Sequence, residues 1–309
     1  MEKLEQIFSF INEKSEQYEQ KNESTYLEGV LLTLEDVLDE KIDWTFKDAS
    51  KEDIRKAIQL AILKGMRKSS QPNHQMTPDT LGLLVGYFVE QFMEEKLKDG
   101  PVSILDPAVG TGNLLLTVMN MLDGKTFSTG IEVDEMLIRL AADTAELTQQ
   151  PLMLYHQDAL QKMLVDPVDV VVSDLPVGYY PNEDVAVDYE LCALEGMSYA
   201  HHLFIEQSIN YSKEGAFLFF LVPVNLFESE QSKELHKYLK KNAWIQAVIQ
   251  LPDGLFANKT LEKSILILQK QSKVHRAPRE VLLAKVPSMS NKQALAAFFE
   301  KVRIWKDNK

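Results

Sequence analysis

Along the first seventy positions apolar residues recur at helical spacing: Leu4, Ile7, Phe8 and Ile11 open the pattern, and it resumes over 26–38 and 54–66. Ser50, followed by Glu52 and Asp53, predicts the start of the third helix, because a hydroxyl cap and early acids complement its free N–H groups. A polar stretch over 69–78 with two prolines leads to a long helix over 79–97. The period then changes. Short apolar runs at 102–106, 127–132, 152–156, 168–173, 216–222, 244–250 and 264–270 predict seven strands. Helical stretches separate the first six, which implies right-handed parallel crossovers. Only the short 251–262 connection, with Pro252, Asp253 and Gly254, separates the last two, so the final strand is predicted antiparallel. A further edge strand is expected over 281–286 and a closing helix over 291–305, with Leu295, Phe298, Phe299 and Val302 facing the protein. The expected fold class is α/β: a doubly wound, mostly parallel, seven-stranded sheet in residues 71–309, preceded by a helical N-terminal domain in residues 1–70.

Composition narrows the function. With 309 residues, 45% of them hydrophobic, the chain can bury a full core. It shows no basic or apolar leader and no run long enough to span a bilayer, so a cytoplasmic protein is expected. The single cysteine, Cys192, excludes an internal disulfide and a multi-cysteine metal site. A formal charge of −13 opposes unaided binding to a phosphate backbone, so a nucleic-acid acceptor needs a local basic patch or a basic partner.

The chemistry concentrates at predicted strand ends. The first strand ends at Asp106, and a turn with Gly110 and Gly112 leads into an apolar helix, which is how an α/β sheet presents a ligand at its carboxyl edge. The second strand ends at Glu132, about twenty residues on, where such folds place the acid that binds a ribose diol. Leu115 stands where a dinucleotide fingerprint carries its third small residue, which argues against a nicotinamide-dependent oxidoreductase. Asp158 follows the third strand, as a nucleobase acceptor or a helix cap. The fourth is followed by Asp174-Leu175-Pro176-Val177-Gly178-Tyr179-Tyr180-Pro181. Thr77 before Pro78 reads on its own as a helix cap.

Together these positions resemble class I S-adenosylmethionine-dependent methyltransferases, and among them the N6-adenine DNA methylase family, especially the modification subunits of type I restriction systems. The resemblance covers 75–269: Gln75-Met76-Thr77-Pro78 is similar to the family's cofactor-capping motif, Asp106 to Asn113 to its glycine motif, and Asp174 to Val177 to its catalytic motif. His201-His202-Leu203-Phe204, Leu221-Val222-Pro223 and Leu251-Pro252-Asp253-Gly254-Leu255-Phe256 resemble later landmarks. The implied fold is the Rossmann-like methyltransferase sheet, the implied cofactor S-adenosyl-L-methionine, and no metal is required. By position, Asp106, Gly110, Gly112 and Asn113 are implied to line the methionine part of the cofactor, Glu132 the ribose and Asp158 the adenine amine, with Ala108, Val133 and Ala159 also implied in the cofactor site. Thr77 is implied to close the pocket. Asp174 and the Leu175 carbonyl are implied to accept the two hydrogens of an exocyclic amine, with Pro176 shaping the loop.

The sequence departs from that pattern where the acceptor should lie. Leu175 replaces the family's first proline and Val177 its stacking aromatic, leaving Tyr179 or Tyr180 as the candidate stacker. Residues 178–200 form an acid-rich insertion, and no long segment serves as a target-recognition domain. These departures support cofactor binding better than DNA methylation: DNA is a partner only as the resemblance implies it, with protein amide or RNA methylation as the alternative acceptor chemistry. A non-catalytic cofactor-binding module, acting on a protein partner through the helical domain, is the other class of reading.

Overall fold

A computed structural model describes residues 2–68, 76–252, 255–256 and 262–308. Most of the predicted 69–78 linker, including Gln75 of the capping motif, and Asp253 and Gly254 of the predicted turn lie outside the described residues. Among the described residues no helix is long and apolar enough to cross a membrane.

The chain begins with three helices, α1 (Glu2–Asn22), α2 (Tyr26–Leu38) and α3 (Lys51–Lys68). A capping box starts α2: Thr25 Oγ1 accepts from the Glu28 N–H, and the Glu28 side chain accepts from the Thr25 N–H. Ile7, Ile11, Leu34, Ile58 and Ile62 are buried between the three helices. At Gly29 an added Cβ would stand 2.5 Å from the Ser15 carbonyl oxygen, so α1 and α2 cross closer than any side chain allows. The same apolar cluster takes in Leu140 from the next layer, and Arg139 pairs with Glu35 across the boundary. The three helices are therefore docked on the sheet domain.

After α4 (Asp79–Asp99) come β1 (Val102–Asp106), α5 (Asn113–Met121), β2 (Thr126–Glu132), α6 (Glu135–Leu147), β3 (Leu152–His156) and β4 (Val168–Asp174). The chain continues through α7 (Glu183–Ala186), α8 (Ala200–Asn210), β5 (Ser212–Pro223), α9 (Ser232–Asn242), β6 (Ala243–Gln250), β7 (Lys263–Lys270), β8 (Leu282–Lys285) and α10 (Lys292–Asp307). The strands form one sheet in the order β3-β2-β1-β4-β5-β7-β6-β8. Alternation along the strands feeds two cores: Val170 and Val172 of β4 pack with α4, α5 and α10, while Val171 packs with α8 and α9 on the opposite face.

The antiparallel seventh strand and the edge strand over 281–286 are both found: β7 runs antiparallel between β5 and β6, and β8 pairs parallel with β6, so among the described residues the sheet is mixed and has eight strands in place of seven. The sheet domain corrects the sequence-based expectation at one link, where no helix joins β3 to β4. That link holds Leu160 and Met163 in the core, but Asp158 Oδ1 accepts the Leu160 N–H at its start and Pro167 closes it, so side chain and ring displace helical hydrogen bonding.

Candidate active site

Because β1, β2, β3 and β4 run parallel, their carboxyl ends lie along one edge, and Asp106, Glu132, Asp158 and Asp174 all sit at or just beyond these tips. The turn after β1 needs its glycines. Gly110 has φ +55° with open space where a Cβ would point, and Gly112 has φ +80° as it caps α5. Beneath the turn, a Cβ on Gly130 would stand 2.9 Å from Val109 and 2.8 Å from Leu154, so β2 passes directly under the loop.

Asp106 is 1% exposed. Its Oδ1 accepts from the Ala108 N–H at 3.1 Å and from Ser173 Oγ at 2.8 Å, while Oδ2 accepts no hydrogen bond from the described residues. Burial, reinforced by the nearby Asp174 and Glu132 charges, pushes its carboxyl up to about 7 despite the two donors. Glu132 accepts three backbone N–H groups: Gly110 on Oε2 at 2.8 Å, and Val133 and Asp134 on Oε1 at 2.9 and 3.0 Å. It therefore ties the glycine turn to the tip of β2. Val133 contributes its backbone only, its side chain being exposed. Asp158 Oδ2 accepts the Tyr180 hydroxyl at 2.5 Å, and the buried Ala159 gives its carbonyl to Gln207 Nε2 at 2.7 Å.

Thr77 and Asn113 belong to a network that sequence reasoning did not find. Arg55, 2% exposed on α3, donates to Glu52, to both oxygens of Asp79 and to Asn113 Oδ1. Asn113 in turn donates to the Thr77 carbonyl at 2.7 Å and to Asp79 at 3.1 Å. The Asn113 side chain is thus directed to α3 and α4. Thr77 does not cap α4: Pro78 is the N-cap, without a side-chain bond, and the Thr77 hydroxyl instead donates to Asp174 Oδ2 at 2.8 Å. The capping alternative fails because the hydroxyl turns toward the carboxylate at the sheet edge.

Asp174 has a second partner that the sequence did not signal. Lys263, at the start of β7, donates to its Oδ1, with a side chain only 14% exposed. Leu175 is buried and continues the sheet by donating to the Leu221 carbonyl, whereas Pro176 and Val177 are exposed. The 178–200 insertion folds back on itself: Tyr180 donates to the Ser198 carbonyl, Ala200 to the Gly178 carbonyl, and Tyr179 bridges to Tyr199. Tyr179, 55% exposed, stacks on Tyr199 at 5.1 Å and 15°, and Tyr199 stacks on His201 at 5.1 Å. Tyr180 is buried beside Asp158, and both push its phenol upward. His201 and His202 are buried and held neutral, their imidazoles pushed down to about 4 and about 3 by desolvation. Among the described residues no three metal-ligating side chains cluster.

Comparison with known proteins places the fold in a family. The model of the N-6 DNA methylase family matches residues 77–300, and that of the YtxK N-terminal helical domain matches residues 5–66. YtxK of Bacillus subtilis (strain 168) is 47% identical over 253 residues, which is 82% of this chain and 76% of that protein. A Listeria monocytogenes protein solved as a candidate class I S-adenosylmethionine-dependent methyltransferase superposes with a TM-score of 0.92 at 41% identity, covering 99% of both chains. The type I restriction-modification methyltransferase subunit of Streptococcus thermophilus, at 17% identity, shares the fold with a TM-score of 0.67 over 83% of this chain and 58% of its own.

Proposed function

Taking as premise that the chain belongs to the N-6 DNA methylase family of class I S-adenosylmethionine-dependent methyltransferases, we propose that it transfers a methyl group to an exocyclic amine, with adenine N6 in a nucleic acid as the acceptor. One observation carries this reading: Ser173 donates to the buried Asp106, and the very next residue is Asp174, so the cofactor-side acid and the acceptor-side acid are fixed to one strand tip. Division of the chain into a helical domain over 1–70 and a methyltransferase domain over 71–309 is part of the same reading, supported by the two family matches.

The residues present fit the cofactor. A buried carboxylate oxygen free of described donors suits a cationic amino group, and the open side of Gly110 leaves room for a ligand against the backbone. S-adenosylmethionine, when bound, supplies a methyl group activated on a sulfonium. Asp106 holds the amino-acid end, and Glu132, whose oxygens keep further lone pairs, accepts ribose hydroxyls. Asp158 accepts the adenine amine. Asp174 and the Leu175 carbonyl accept the two N–H bonds of the methyl acceptor, which turns the nitrogen lone pair outward and makes it more nucleophilic. Positioning supplies much of the remaining rate. Tyr179 is the stacking surface, because Tyr180 is committed to Asp158.

A non-catalytic cofactor-binding module, working through a protein partner of the helical domain, is favoured by one observation, the Lys263 ammonium on the acceptor carboxylate. Calorimetric titration with S-adenosylmethionine, with NAD as control, followed by labelled methyl transfer to DNA, RNA and extract protein, decides between them. Binding with label in nucleic acid supports the proposal, label in protein moves the acceptor to an amide, and binding without label leaves the module. Absence of binding sinks both.

A further inference from the structure

Lys263 is at odds with a carboxylate whose task is to accept an amine. An ionised carboxylate offers about four lone-pair sites, and here Thr77 takes one on Oδ2 while Lys263 takes one on Oδ1 and cancels the charge. The ammonium is nearly sealed from water, and its other two N–H bonds reach no acceptor among the described residues. Lys263 also lines a small cleft together with Val224, Gln250, Leu251, Phe256 and Glu262. A shielded cation with unused donors is a place for an anionic oxygen, a local exception in a chain whose net charge of −13 otherwise repels one.

The reaction makes the sign of that charge matter. As the acceptor nitrogen's lone pair forms the N–C bond, the C–S bond breaks and its electron pair stays on sulfur. Positive charge therefore passes to the nitrogen until one proton leaves it, through the Asp174 carboxylate, for water. An unpaired Asp174 stabilises that charge; an Asp174 paired with Lys263 does not.

Resting on the methyltransferase reading, we propose that Lys263 is the specificity-determining residue of the acceptor site: it withholds Asp174 from a bare neutral amine, and the acceptor this site takes is a nucleotide, whose phosphate oxygen draws the ammonium off the carboxylate. The four-carbon stem lets the ammonium turn from one partner to the other without moving β7.

The test uses the full chain saturated with S-adenosylhomocysteine, titrated with 2′-deoxyadenosine and with its 5′-monophosphate. The native chain binds the monophosphate about tenfold more tightly, the value of one charge-assisted hydrogen bond. Lys263→Met loses that preference and, with labelled S-adenosylmethionine, methylates the uncharged nucleoside about tenfold faster, while Lys263→Arg keeps the preference. Equal affinities in the native chain, an unchanged preference in Lys263→Met, or binding of neither nucleoside by a cofactor-loaded protein each overturns the proposal. Failure of both proteins to bind the cofactor is a separate result, and it removes the methyltransferase reading itself.

Discussion

The cofactor side and the acceptor side of the sheet edge are built differently. On the cofactor side, Glu132 takes three backbone donors, Asn113 is held from three directions, and Arg55 ties α3 and α4 to the glycine turn. Asp106 Oδ2 is the exception, an oxygen without a donor among the described residues. On the acceptor side, among the described residues, Asp174 is held by side chains alone, Tyr179 and Val177 are open to solvent, and two neutral histidines lie behind the tyrosine stack with His201 Nδ1 and both His202 ring nitrogens unpaired. The first region is a fixed frame and the second a surface whose partners can be exchanged.

The largest expected effect tests the frame. Arg55→Met leaves the half-buried Asp79 without its counter-charge, while Glu52 keeps Lys56, and should cost about 3 kcal/mol, read as a lower urea midpoint at an unchanged slope. A loss below about 1 kcal/mol would mean that the network is dispensable and the contrast between the two regions false.

Asp106 gives the next effect. Its folded carboxyl titrates near 7, above the unfolded value of 3.8, so the folded state binds the extra proton and stability from this group is fully present below about pH 4. It is lost as pH rises toward 7, at a slope approaching about 1.4 kcal/mol per pH unit. Asp143, raised to about 7 by burial between α2 and α6, adds in the same direction. Asp106→Asn should flatten the urea-derived stability profile between pH 4 and 7 relative to the native chain. It should also abolish a rise of about tenfold in S-adenosylmethionine affinity between pH 6 and 8, measured by calorimetry.

Tyr179→Ala sharpens the contrast from the acceptor side. Removal of an exposed stacking ring should raise the acceptor KM by about tenfold, within the roughly 1 to 3 kcal/mol of a base–aromatic stack, with cofactor affinity unchanged. A matching loss of cofactor affinity would show that the two sides are not separable. The smallest effect is Thr25→Ala, which removes the α2 capping box far from both and should cost about 1 kcal/mol in thermal or urea unfolding without altering cofactor binding.

The same contrast explains what the sequence revealed. The tips of β1, β2 and β4 were legible because each is an apolar run that ends in a carboxylate, Asp158 follows two residues after β3, and Gly110 and Gly112 announce the turn after the first tip. Lys263 was not, because it meets Asp174 from 89 positions away and reads locally as the polar start of a strand. Arg55 lay hidden for a related reason: on a basic, amphipathic helix a cation looks solvated until α4 brings Asp79 against it. The helix expected between β3 and β4 failed where Leu160 and Met163 mimic helical spacing without the hydrogen bonds.

Gly130 limits which side chains β2 can carry. Three positions earlier, Phe127 is 70% exposed and stands largely in solvent. At Gly130 a single methyl must be absorbed by Val109 from above or Leu154 from the side, and Val109 holds the turn through its hydrogen bond to Ile131. The height of the turn above β2 is thus set by a missing carbon, and any side chain placed there displaces the loop that borders the cofactor edge.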